Sequence, residues 1–144
     1  MSESCPFCAI AAGRIPVHKV AESERLVAFL DIAPVRPGHV LIVPRAHHPF
    51  FDDMPADVAA ELVQMAQPIA RALKRLYGVP RVAFMFTGTD VAHAHGHLIP
   101  MVEKHDVTSR RYFAEEVVTF RPLPRLAPEE LDETARRIRG ELSA

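Results

Sequence analysis

A chain of 144 residues can hold one domain with a real core and is too short for two comfortable ones. Its hydrophobic fraction of 49% and charged fraction of 24% are those of an ordinary soluble globular protein. A net charge of −1, with both signs mixed along the chain, argues against a broad electrostatic grip on polymeric nucleic acid or an anionic membrane; a small phosphorylated ligand could still be held by a few local donors.

The segment Met1–Cys5 lacks a basic stretch followed by an apolar run, and no apolar stretch approaches the length needed to cross a bilayer. The two cysteines, Cys5 and Cys8, suit a reducing compartment better than a disulfide framework, so a soluble cytoplasmic protein is expected. Residues 5–13 predict a short helix ended by Gly13, and Arg14-Ile15-Pro16 leads into an extended segment. Leu26–Leu30 and His39–Val43 are apolar strands, the first followed by a turn in Asp31–Pro34 and the second bounded by Pro37-Gly38 and Pro44.

Over 55–77, Val58, Leu62, Met65, Ile69, Leu73 and Leu76 recur at spacings of three and four, which predicts a helix with one apolar face. Gly78 stands where a C-terminal cap would, and Pro68 should kink the helix or split it in two. Val82–Phe86 is a buried strand candidate and His93–Met101 another. Residues 103–126, rich in charge and proline, offer no assignable element, and Pro128-Glu129-Glu130 opens a last helix. Several short strands around one long helix make the class α+β.

His93-Ala94-His95-Gly96-His97 carries most of the chemistry. In an extended strand the three histidines share one face, while small Ala94 and Gly96 let another layer approach the opposite face. Three readings stand side by side: histidines on a half-exposed strand without use, a zinc site built on His-x-His, or phosphoryl chemistry by a neutral imidazole. Cys5-x-x-Cys8 likewise reads as half of a tetrahedral zinc site or as a redox pair; the redox pair would normally follow a strand in a βαβ unit.

The run His93–Ile99 resembles the His-x-His-x-His-x-x signature of the histidine-triad (HIT) family. Two further blocks resemble the same family in the same order: Ala28–Pro34 with Pro37–His47, and Cys5–Ile10 with Gly13–Pro16. The resemblance covers residues 5–101 and leaves 102–144 as a C-terminal extension and helix of the same domain. It implies a HIT-like fold: an antiparallel meander sheet packed by one long helix plus a C-terminal helix. It also implies a homodimer, with the Val82–Phe86 edge and the exposed part of the long helix as contact surfaces.

Carried onto this chain, the family's chemistry makes His95 the nucleophile on the α-phosphorus of a nucleoside monophosphate–X substrate, a phosphoramidate or a dinucleoside polyphosphate. His97 and His39 match positions near the phosphate. Asp31 and Ile32 match the nucleoside pocket, with Asp31 the ribose partner. Phe86–Ala92 is shorter than the usual Gly-Gln-Ser type loop; Thr89 stands where the family carries Gln, and Asp90 where a leaving-group donor is often found. No Trp is present, so the C-terminal Trp of some branches is missing. Some members, and the related galactose-phosphate uridylyltransferases, hold a structural zinc; the matching ligands are Cys5, Cys8, His47 and His93, with no catalytic metal. The same fold could also carry a non-catalytic nucleotide-binding regulator, or a metal-dependent enzyme with a His-rich site.

Overall fold

A computed structural model of the chain describes residues 4–88, 90–104, 106–107 and 122–144. The elements run α1 (Pro6–Ala11), β1 (Lys19–Glu22), β2 (Leu26–Leu30), β3 (Val40–Pro44), α2 (Ala56–Tyr77), β4 (Val82–Met85), β5 (Gly96–Pro100) and α3 (Pro128–Leu142). A short 3-10 turn over Phe51–Asp53 precedes α2. The strands form one antiparallel sheet in the order β1-β2-β3-β5-β4. The first three strands form a meander. The chain then crosses over through α2, and β5 comes back between β3 and β4, leaving β4 on the edge.

Strand alternation sorts the core into two layers. Leu26, Ala28 and Leu30 of β2, with Val40 and Ile42 of β3, pack with Leu62, Ala66, Ile69 and Leu73 of α2 and with Leu131, Ala135 and Ile138 of α3. The intervening Val27, Phe29, Leu41 and Val43 point the other way and pack with Cys5, Phe7 and Cys8 around α1. Both faces of β2 and β3 are therefore covered, which is why these strands read as unbroken apolar runs.

Three sequence expectations are corrected. Pro68 does not split α2, which runs unbroken over 22 residues. The lost hydrogen bond is outweighed by the apolar stripe that Leu62, Ala66, Ile69 and Leu73 bury on the sheet. Val82–Met85 is a half-buried edge strand and not a buried one, with Phe84 39% exposed, because among the described residues only β5 pairs with it. The strand of the histidine segment, β5, begins at Gly96 rather than His93. His93 N–H turns back onto the Val91 carbonyl at 2.8 Å, and Ala94 N–H donates to the His48 carbonyl at 2.7 Å, so this stretch is a shaped loop entering the strand.

Two glycines meet local demands that disfavour a larger residue. Gly78 ends α2 with φ 60°, the left-handed cap expected of it. A Cβ on Gly96 would lie 2.9 Å from the Phe84 ring and 3.2 Å from Leu62, so the close approach foreseen for the small residues of the triad is real. No helix among the described residues is long and apolar enough to cross a membrane.

Candidate functional site

The candidate histidines His39, His93, His95 and His97 cluster around the α1 side of the sheet, and their ring nitrogens can be assigned from their partners. His93 Nε2 lies 2.8 Å from the Pro44 carbonyl. A carbonyl only accepts, so Nε2 carries the proton and Nδ1 presents its lone pair. That lone pair faces Cys5 Sγ at 3.4 Å, Cys8 Sγ at 3.5 Å and His47 Nδ1 at 3.2 Å, while His47 Nδ1 is 3.3 Å from Cys8 Sγ. Burial lowers the His93 pKa and favours the neutral, ligating ring.

Cys5 caps the short helix with its sulfur, 3.5 Å from Cys8 N–H, which holds both thiols on one side of α1. The four ligand atoms all lie within 4.8 Å of one another. A tetrahedral ion with zinc-like bond lengths needs about 3.3 Å between nitrogens and about 3.5 Å between nitrogen and sulfur. The observed separations fit that figure, so Cys5, Cys8, His47 and His93 can hold a metal ion. His48, the neighbour that could be mistaken for His47, is outside this group.

Two residues on, the same logic gives a different result. His95 Nδ1 lies 2.7 Å from the His93 carbonyl, so Nδ1 is the donor and the neutral ring carries its lone pair on Nε2. No buried side-chain nitrogen among the described residues lacks a partner, and Nε2 has none, so Nε2 reaches solvent although the residue is 6% exposed. The ring packs edge-on against Phe7 at 4.9 Å and His97 at 4.8 Å. It also lines a cavity with Phe50, Phe51, Phe86 and Thr87.

A third chain of donors runs through His39. Val35 N–H donates to His39 Nδ1 at 3.2 Å, which leaves the proton on Nε2. His39 Nε2–H then donates to His97 Nδ1 at 2.9 Å, so His97 carries its own proton on Nε2, 3.4 Å from Thr87 Oγ1. Burial holds the His39 pKa below its usual value, and burial with the nearby His39 and His95 pushes that of His97 down to about 4. Both rings are thus neutral at neutral pH. The 3.8 Å approach of Asp31 Oδ2 to His39 Nδ1 is accordingly not an ion pair.

Asp31 Oδ1 accepts Ala33 N–H at 2.8 Å, closing the turn before Pro34. With Ile32, which is 46% exposed, Asp31 borders a cavity of 280 Å³ that Phe7 and Phe29 also line. Phe7 therefore lies between this cavity and His95. Asp90 is exposed and lines a different cavity with Cys5 and His47, beside the four metal-ligand candidates. Thr89 lies outside the described residues.

Sequence reasoning missed three contributors. Val35 acts through its backbone and Pro44 through its carbonyl, and neither leaves a trace in residue type. The Phe50-Phe51 pair did leave one, as two adjacent large apolar residues shortly after the Pro37–His47 block, in a stretch with no strand or helix period to absorb them.

A family model described as the HIT domain matches residues 12–104. The chain belongs to the HIT-domain family. A HIT-like protein of Methanocaldococcus jannaschii is 34% identical over 140 residues, covering 94% of this chain and 99% of that one. The adenosine 5'-monophosphoramidase of Saccharomyces cerevisiae is 35% identical over 101 residues, 69% of this chain and 64% of the yeast protein. Among solved structures, a Zn-bound histidine triad family protein from Mycobacterium smegmatis superposes with a TM-score of 0.77 at 28% identity, covering 99% of this chain and 96% of that one. A Hit-like protein from Bartonella henselae gives 0.78 at 25% identity, with 98% of each chain covered.

Proposed function

We propose that the chain is a hydrolase or transferase of nucleoside monophosphate–X substrates that works through a nucleotidyl intermediate on His95. The observation that carries this reading is the 2.7 Å contact of His95 Nδ1 with the His93 carbonyl, which commits the lone pair to Nε2 beside an open cavity. Nε2 attacks the α-phosphorus and the P–X bond breaks with its electron pair on X. Water then cleaves the N–P bond and releases the nucleoside monophosphate.

The His97 Nε2–H donates to a phosphoryl oxygen as charge builds there, and His39 keeps that proton on Nε2 by occupying His97 Nδ1. Asp31 and Ile32 line the nucleoside cavity, with Asp31 the acceptor for a ribose hydroxyl. Thr89 and Asp90 belong to the same reading as contacts on the leaving-group side. The yeast phosphoramidase at 35% identity supports a phosphoramidate among the substrates.

We assign zinc to the Cys5, Cys8, His47 and His93 cluster, supported by the ligand separations and by the Zn-bound mycobacterial neighbour. Four protein ligands leave no open position, so zinc there would tie the N-terminus to the loop before β5 and supply no step of the reaction. The thiols that such a site needs persist in a reducing cytoplasm, where we place the protein. Two copies join along β4 and α2 in this reading, since the outer edge of β4 has no strand beside it among the described residues. Sedimentation returning only monomer at micromolar concentration would remove the dimer from the account.

Adenylyl and guanylyl phosphoramidates and dinucleoside polyphosphates, offered to the wild type and to His95→Ala, test the function. Turnover that disappears with His95 supports it. Tight nucleotide binding without turnover would make the protein a regulator instead. Activity lost on chelation while the fold persists would make the metal catalytic.

A further inference from the structure

The turn between β2 and β3, residues 31–38, decides which nitrogen of His39 carries its proton, because the Val35 N–H that selects the tautomer belongs to it. His39 N–H donates to the Arg36 carbonyl at 3.1 Å, and Asp31 N–H donates to the His39 carbonyl at 2.9 Å. These two bonds close the turn on itself. Two polar attachments reach it from elsewhere. Leu126 N–H donates to the Ile32 carbonyl at 3.0 Å, near the start, and the Arg36 side chain grips Asp106 near the tip.

That grip is a fork on a fork. Arg36 Nε lies 3.0 Å from Asp106 Oδ2, and Arg36 Nη2 lies 2.7 Å from Oδ1. The Asp106 side chain is 7% exposed, and its Oδ2 also accepts the N–H groups of Val102 and Glu103, both at 2.9 Å. The chain leaving β5 thus fixes the carboxylate independently of Arg36. An isolated ion pair adds little stability, whereas a planar two-point contact fixes orientation. β3 and β5 pair with Val40 opposite Leu98 and Leu41 opposite His97. The fork joins the chain just ahead of β3 to the chain just beyond β5, so it bridges the two strands that carry His39 and His97.

Asp31 makes this restraint matter. Its Oδ2 stands 3.8 Å from His39 Nδ1, an acceptor at hand for the opposite tautomer. Only the Val35 N–H, 3.2 Å from the same nitrogen, favours a lone pair there. Resting on the reading of His97 Nε2–H as the phosphate donor, we propose that Arg36 and Asp106 are positioning residues, whose forked contact holds the 31–38 turn so that Val35 N–H meets His39 Nδ1 and both imidazole protons stay on Nε2. With the fork broken, Val35 N–H leaves the ring and the His39 proton moves to Nδ1, toward Asp31. His39 Nε2 then accepts from His97 Nδ1–H, and His97 Nε2 turns a lone pair to the phosphate in place of a donor. Each ring keeps one proton throughout.

The test is long-range ¹H–¹⁵N correlation spectroscopy of the metal-loaded full chain, which reports the tautomer of each ring without any turnover. In the wild type both His39 and His97 should be Nε2–H. Arg36→Met removes the fork and leaves Asp106 on its two backbone donors, and it should move both rings together toward Nδ1–H. On adenosine 5'-phosphoramidate the same variant should lower kcat about three- to tenfold with little change in KM. Asp106→Asn, which replaces one accepting oxygen by a donor, should do the same, and the double variant should be no worse than the poorer single one. Arg36→Lys restores the charge without the fork and should recover only part of the loss. Arg75→Met, which breaks the ion pair with Glu141 between α2 and α3, should leave tautomers and kcat as they are.

Unchanged tautomers in Arg36→Met overturn the proposal whatever the turnover, and a lowered melting temperature with unchanged tautomers would make the pair purely structural. Losses of kcat that add in the double variant overturn it too, as do shifted tautomers with an unaltered kcat. Shifted tautomers in a protein whose wild type turns over no phosphoramidate would leave the clamp standing and sink the hydrolase reading instead.

Discussion

The two faces of the sheet solve different problems with alternate residues of the same strands. The helix-side face, built on Leu26, Ala28, Leu30, Val40 and Ile42, is apolar throughout and closed by α2 and α3. The opposite face shares Val27, Phe29, Leu41 and Val43 with α1, then gives way to His39, His97 and the loop of His93 and His95. One face stores stability, and the other spends part of its packing on polar rings whose nitrogens must each be satisfied. Damage on one side should therefore read out in stability and damage on the other in chemistry.

The largest effect belongs to the reactive ring. His95→Ala should lower kcat/KM on a nucleoside phosphoramidate by about 10⁴-fold or more, the usual scale for losing a nucleophile, with a circular dichroism spectrum like that of the wild type. Replacing both Cys5 and Cys8 by Ala should abolish metal binding by plasma emission analysis. It should also lower the melting temperature by roughly 10 °C, the shift that about 3 kcal/mol produces in a chain of this size. Loss of metal without loss of stability would contradict the structural role.

On the helix side, Leu62→Ala should cost about 2–5 kcal/mol in urea unfolding, because Leu62 is fully buried between α2 and the sheet. The kcat of the fraction that remains folded should not change. A Leu62 variant with full stability and altered kcat would break the division between the faces. His39→Ala should reduce kcat about 10- to 100-fold with a smaller change in KM, since it frees His97 Nδ1 and lets the proton of that ring move away from Nε2.

The smallest effect is that of pH. The His97 pKa is about 4 in the folded protein against an ordinary 6.5. Between those values the unfolded chain binds a proton that the folded chain refuses, so stability falls as pH drops from about 6.5 to about 4 and then levels off. Unfolding curves of the wild type and His97→Asn across that range should diverge in this direction. Parallel curves would mean that the ring titrates normally.

The helix-side face was legible because burial has a period. The spacing of Val58, Leu62, Ile69 and Leu73 gave α2, and the apolar runs gave β2 and β3. The four metal-ligand candidates were also foreseen, through resemblance, and the structure brings them together. What the sequence could not show was direction. His93 and His95 are the same residue type two positions apart, yet the lone pair of one faces two thiols, while the other ring keeps its lone pair on Nε2 and lines a cavity. The difference lies in which ring nitrogen donates its N–H to a backbone carbonyl, Nε2 of His93 to Pro44 and Nδ1 of His95 to His93. The edge position of β4 was likewise hidden, because Val82–Met85 has the composition of a covered strand.

The most direct measurement is intact-protein mass spectrometry of the enzyme quenched during turnover of a nucleoside phosphoramidate. The account predicts a single nucleotidyl adduct, mapped by peptide fragmentation to His95 and missing from His95→Ala. An adduct on another residue, or rapid turnover with no adduct under conditions that preserve phosphohistidine, would contradict it.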